Sequence, residues 1–173
     1  MTKALVIIDV QKGMFAYGDL YEGERVVGVL SHALATARRE GAPVVFVQHD
    51  GGEGSPLARN SEGFAFHDDL APRDGEAVIV KHFCSAFQDT DLLDTLSEAG
   101  VTEIVVGGMQ SEFCVDTAVR GAFERGIAVT LIADGHTTFD TPALPAAQII
   151  AHHNHTLKSG HFASVEAGTD IAF

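Results

Sequence analysis

A chain of 173 residues with 46 % hydrophobic side chains has enough apolar material to bury one core, so a single domain over residues 1–173 is expected. Its net charge is −13, and with no lysine or arginine cluster it is a poor match for nucleic acid, which demands basic surface. Acidity at this level leaves room for a neutral or cationic small-molecule substrate. No stretch approaches the ~18 apolar residues of a membrane span, and the opening MTKALVIIDVQ is too short for a signal core. No membrane partner is expected, and the two cysteines, Cys84 and Cys114, are expected reduced in the cytoplasm. A disulfide between them is the poorer reading.

Apolar runs alternate with helical patterns along the whole chain. Residues 4–8 (ALVII) read as a strand. Residues 26–39 repeat Val26, Val29, Leu30, Ala33, Leu34 and Ala37 at spacings of three and four, the signature of an amphipathic helix. Gly41-Ala42-Pro43 ends that helix and introduces a strand at 44–47. Residues 50–73 carry no pattern and hold three glycines in their first five positions. A loop of that length is a lid, a pocket wall or a disordered insertion. A strand at 77–80, a helix around Leu92, Leu93 and Leu96, and a strand at 103–106 follow. Gly107 and Gly108 read as a tight turn. The helix after Cys114 keeps Val115, Ala118, Val119, Ala122 and Phe123 on one side until Gly126. A strand at 127–132, a helix near 145–157 and a last strand at 161–165 complete the series. Continuous apolar strands separated by helices specify an α/β fold with a parallel sheet covered on both faces.

Three polar residues stand where strands end: Asp9, Lys81 and, just past the glycine pair, Cys114. Sites in open α/β sheets form outside the carboxyl ends of strands. Each residue alone has an ordinary explanation, a solvated or loop-bonding group for the aspartate and lysine and a small core residue for the cysteine. Together they supply a carboxylate to take a thiol proton, a cation to favour the thiolate, and a nucleophile in the first turn of a helix. Backbone N–H groups at such a helix start suit an oxyanion.

The segments LVIIDVQKGMF (5–15), VVFVQHD (44–50), VKHFCSAFQDTDL (80–92), VVGGMQSEFCVDTAVRGAFERGIAVTLIADGHTTFD (105–140) and IIAHHN (149–154) resemble the isochorismatase-like cysteine hydrolases. That superfamily includes nicotinamidases, N-carbamoylsarcosine amidases and streptothricin-hydrolase-like amidases. The resemblance spans nearly the whole chain in order. It implies a three-layer α/β/α Rossmann-like fold with about six parallel strands in the order 3-2-1-4-5-6. It also implies an Asp9–Lys81–Cys114 triad, a non-proline cis peptide between Met109 and Gln110, and an oxyanion hole from the N–H groups of Gln110 and Cys114. The implied activity is hydrolysis of an amide or carbamoyl C–N bond through a thioester on Cys114. The alternatives are vinyl-ether hydrolysis, as in a true isochorismatase, and a non-catalytic binding protein on the same fold. Retention of the cysteine with Asp9 and Lys81 favours amide chemistry.

Gln11 is either a site residue or a backbone clamp. Phe15, Phe87 and Phe113 are candidates for the substrate pocket, with core packing the competing reading. Cys84 reads as packing, and Glu112 as helix-start charge. His49 and His67 are the candidate metal ligands, but residues 48–51 (QHDG) lack the Asp-x-His spacing of the metal-binding relatives, so neither metal nor cofactor is expected. Apolar residues beside His152, His153 and His155 exceed one helix face, which points to a homodimer or higher homo-oligomer.

Overall fold

The computed structural model describes residues 2–173. Strands β1 (Thr2–Ile8), β2 (Val44–His49), β3 (Ala77–Lys81), β4 (Val101–Met109), β5 (Ala128–Thr137) and β6 (Ser164–Glu166) form one parallel sheet in the order β3-β2-β1-β4-β5-β6. Helices α1 (Lys12–Ala16), α2 (Gly23–Glu40), α3 (Leu92–Glu98), α4 (Asp116–Glu124) and α5 (Ala146–Ser159) connect them. Strand alternation divides the core in two. Leu5 and Ile7 of β1 pack with Val26, Leu30 and Leu34 of α2. Ala4, Val6 and Ile8 point the other way, toward Leu92 and Leu96 of α3, Val119 of α4 and Leu157 of α5. None of the described helices is long and apolar enough to cross a membrane.

The strands run further than their apolar cores suggest. Gly107 and Gly108 are no turn: both lie inside β4, beside an irregularity in its pairing with β5. The chain needs glycine there for close approach. A Cβ on Gly107 would stand 2.6 Å from the carbonyl oxygen of Gly135, and one on Gly108, at φ +131°, would stand 2.7 Å from the backbone N of Ile8. The strand at 161–165 is in fact Ser164–Glu166, and α1, only five residues long, has no period to read. The segment 50–73 is packed and serves as a wall. Leu57 and Leu70 are in the core, Gln11 bridges Phe66, and the N–H of Lys12 donates to Ala65 O at 2.9 Å. On α5, Ile149 and Leu157 are buried within the chain, so that helix offers less apolar surplus for a partner than its sequence suggests.

Between β4 and α4 lies a single π-helical turn, Ser111–Val115, and a buried polar relay holds it. The Ser111 hydroxyl lies 2.7 Å from His136 Nδ1 on β5. His136 Nε2 lies 3.0 Å from Asn154 Oδ1 on α5, and Asn154 Nδ2 donates to Ala133 O at 2.9 Å. With the amide oxygen accepting from Nε2–H, Nδ1 is left to accept from Ser111. Burial pushes the His136 imidazole down to about 4, outweighing the Asn154 bond that favours its charged form.

Two expectations follow from these contacts. Gly108→Ala is expected to cost about 3 kcal/mol or more through overlap with the β1 backbone, while Gly28→Ala on α2, where a Cβ meets nothing within 4 Å, should be neutral or stabilise by up to ~1 kcal/mol. Denaturant midpoints of the two variants check this, and equal shifts would contradict it. For His136, a folded-state pKa of about 4 against an ordinary 6.5 means that the unfolded chain binds the extra proton between those values. Its contribution is therefore full above about pH 6.5 and is lost as pH falls toward about 4, a total of about 3 kcal/mol. Wild-type stability should fall more steeply over that window than that of His136→Gln; parallel pH profiles would refute the buried neutral ring.

Candidate active site

The sheet order reverses direction between β1 and β4, and the polar residues collect at that crevice. Asp9 follows β1 with φ +52°, a left-handed conformation that aspartate tolerates better than most residues. Its N–H donates to Val47 O at 3.0 Å. Lys81 ends β3, two strands away. With strands ~4.8 Å apart, only a long side chain can cross the end of β2 to reach Asp9. His49, the β2 residue in register with Lys81, lies beneath that crossing. Cys114 sits in the π turn that follows β4.

The Lys81 ammonium, 0 % exposed, is the hub. Its Nζ lies 2.7 Å from Asp9 Oδ2 and 3.1 Å from each of Cys114 Sγ, His49 Nδ1 and the carbonyl oxygen of Phe83. Four acceptors share three N–H bonds. The thiol sulfur is the weakest of the four while protonated and becomes the strongest competitor once ionised. Asp9, His49 and Cys114 offer ligand atoms within 4.8 Å of one another, a spacing that fits a metal ion. The lysine ammonium already occupies hydrogen-bonding distance from all three. His67 is elsewhere: its Nδ1 accepts from the Asp69 N–H and its ring meets Phe15 at a tilt of 48°.

Burial drives the electrostatics. It pushes the Asp9 carboxyl above its usual range, against the pull of Lys81. Burial opposes the charge on Lys81 too, but Asp9 and Cys114 together hold its pKa above the ordinary value. The Cys114 thiol is pushed up by burial and by the Asp9 charge, which outweigh Lys81. That direction runs against the readily ionised thiol expected at a helix start and favours a protonated Cys114 held between Asp9 and the Lys81 ammonium. His49 is lowered by burial and then by Lys81, so it is neutral. Among the described residues, Asp9 Oδ1 is buried with no hydrogen-bond partner, available to receive the thiol proton.

A cavity of about 860 Å³ opens above Asp9 and Cys114. Phe113, 49 % exposed, lines it, as do Gly51, Ser55 and Leu57 of the 50–73 wall. The other pocket candidates lie elsewhere. Phe87 is a core residue under the Arg125 guanidinium, and Phe15 packs against the α2 side of the core. Gln11, 0 % exposed, clamps β2 to the wall: its Nε2 donates to His49 O and Phe64 O, and its Oε1 accepts from the His49 N–H. Cys84 is exposed and lines the cavity, so it is no packing residue. The Met109–Gln110 peptide is cis. The Gln110 side chain donates to Thr138 Oγ1, which donates in turn to Glu112 Oε1 at 2.8 Å. Glu112 therefore ties the π turn to Thr138, just past the end of β5, a role that its place at a helix start conceals. Tyr17, Asp19, Phe139 and Asp140, which also line the cavity, escaped the sequence reading because no local pattern marks them.

The isochorismatase domain family matches residues 3–156. The chain is 39 % identical to the isochorismatase family protein YddQ of Bacillus subtilis over 80 % of its own length and 79 % of that protein. It is 38 % identical to a streptothricin hydrolase of Streptomyces noursei over 83 % of its length, spanning only 57 % of that longer protein. An isochorismatase crystal structure from Pseudomonas putida superposes with a TM-score of 0.91 at 31 % identity, covering 98 % of this chain and 89 % of the other. With this fold, this crevice and these relatives, the chain belongs to the isochorismatase family of hydrolases.

Proposed function

We propose that this protein is a cysteine amidohydrolase that cleaves an amide or carbamoyl C–N bond of a small molecule. The observation that carries the reading is the fully buried Lys81 ammonium, within hydrogen-bonding distance of both the Asp9 carboxylate and the Cys114 sulfur. Asp9 Oδ1 takes the thiol proton, and Lys81 moves a hydrogen bond onto the nascent thiolate. The sulfur adds to the carbonyl carbon, and the N–H groups of Gln110 and Cys114 hold the oxyanion. Asp9 returns the proton to the leaving nitrogen, which departs as amine or ammonia and leaves a thioester. Water, deprotonated by Asp9, then releases the acid and restores the thiol. Because the thiol is protonated at rest, proton transfer and attack are coupled, and the cost of a free buried thiolate is avoided.

The reaction needs no metal, since Lys81 supplies the positive charge among the three donor groups. We further propose a cytoplasmic setting, where an exposed Cys84 stays reduced, and a homo-oligomer of dimers or larger. Tyr17 and Phe113, 54 % and 49 % exposed at the cavity, and Phe83, 46 % exposed next to Cys84, are apolar surface that a second copy would cover.

An ammonia-release screen over amides, ureides and carbamoyl compounds tests the activity: Cys114→Ala should abolish turnover of every compound cleaved by the wild type. Asp9→Asn and Lys81→Ala should each lower kcat at least ~100-fold, and near-normal turnover in either would break the triad. Activity should survive exhaustive chelation; loss on chelation with recovery on added zinc would restore a metal role for His49. Light scattering should give a mass of at least twice the 18.3 kDa of one chain, and a monomeric mass would remove the oligomer.

A further inference from the structure

The charge on the cavity wall is of one sign. Asp9 lies at its floor, and Asp19 and Asp140, both exposed, line it higher up. Among the described residues no lysine or arginine lines it, and the one cation beneath, Lys81, is buried and paired with Asp9. His49 is held neutral by burial and by Lys81. The Asp140 Oδ1 accepts from the Ala146 N–H at 2.7 Å, so the start of α5 orients this carboxylate and tempers its charge, yet one oxygen remains for a ligand. Three aromatic rings, Tyr17, Phe113 and Phe139, complete the wall. Aromatic faces attract cations and, with carboxylates nearby, form a surface suited to an ammonium or amidinium group. Asp9 Oδ1, buried and without a hydrogen-bond partner, marks the end of the cavity where chemistry occurs.

We infer that the cavity selects amides carrying a positive charge away from the scissile bond, with the cationic group seated against Asp19, Asp140 and the aromatic wall. An anionic substrate would give up hydration to enter a space walled by carboxylates, where the one cation nearby, Lys81, is already paired with Asp9. This disfavours isochorismate, a dicarboxylate, and favours a substrate with a protonated amine or amidine. The inference rests on the amidohydrolase reading for its chemistry, but its charge preference can be measured without any substrate.

The probe is the rate at which Cys114 is modified, in a Cys84→Ser background, by two methanethiosulfonates of equal chain length, one ending in trimethylammonium and one in sulfonate. Each transfers its thioalkyl group to the thiolate, forming a mixed disulfide and releasing methanesulfinate. Rates are normalised to those of 2-mercaptoethanol, which removes the intrinsic difference between reagents. At low salt the cationic reagent should be favoured by about tenfold or more. Asp19→Asn with Asp140→Asn should cut that ratio at least about threefold. Asp94→Asn with Glu98→Gln on α3, equal in net charge change, should leave it in place. A normalised ratio near one, or an equal loss in the α3 control, would overturn the inference. Failure of the ammonia-release screen would instead remove the amidohydrolase reading, because the labelling rates do not depend on it.

Discussion

A buried ammonium that must be neutralised governs the architecture of this site. Removing a lysine from water costs several kcal/mol unless its charge is paired and its hydrogens are bonded. Lys81 meets both conditions only because three strand ends converge: Asp9 from β1, His49 from β2 and the Phe83 carbonyl just past β3. Cys114 completes the set from beyond β4. The parallel sheet is what makes this convergence possible, since all carboxyl ends point the same way and the reversal of order between β1 and β4 leaves a crevice there. The surrounding clamps serve that geometry. Gln11 fixes the end of β2 and the wall, while Ser111, His136 and Asn154 fix the turn that carries the thiol.

In the proposed mechanism the same pairing determines how the thiol is activated. A helix start beside a lysine would ordinarily produce a standing thiolate. Here the carboxylate neutralises the lysine and its own charge works against a second anion, so Cys114 remains a thiol at rest. Burial also raises the Asp9 carboxyl, which makes it a better proton acceptor than an exposed aspartate. The two shifts reinforce each other. In the proposed mechanism a thiol that is hard to ionise is matched with a base that is readily protonated, and the proton would move once a carbonyl is in place to receive the sulfur.

Much of this was legible in the sequence where local pattern carries it. Strands of continuous β-branched residues and helices with three-four spacing gave the sheet and its layers, and a polar residue at the end of an apolar strand identified Asp9 and Lys81 as edge groups. What could not be read depends on contacts between distant segments. Gly107 and Gly108 looked like a turn because their demand for space comes from Ile8 and Gly135. Gln11 meets partners 38 and 53 residues away, and Glu112 meets Thr138, so neither role has a local signature. Phe87 and Phe113 have the same side chain and opposite fates, one under Arg125 in the core and the other open to the cavity. Cys84 and Cys114 likewise differ in surroundings that composition does not encode.

The central claim is that Cys114 carries the acyl group during turnover. Acid-quenching the enzyme while it hydrolyses an amide from the screen, followed by peptide mass mapping, observes that directly. The account predicts a mass increase equal to the acyl fragment on the peptide containing Cys114, labile to hydroxylamine as a thioester is. Steady turnover with the acyl group on Cys84, or with full hydrolysis retained in Cys114→Ala, would contradict it.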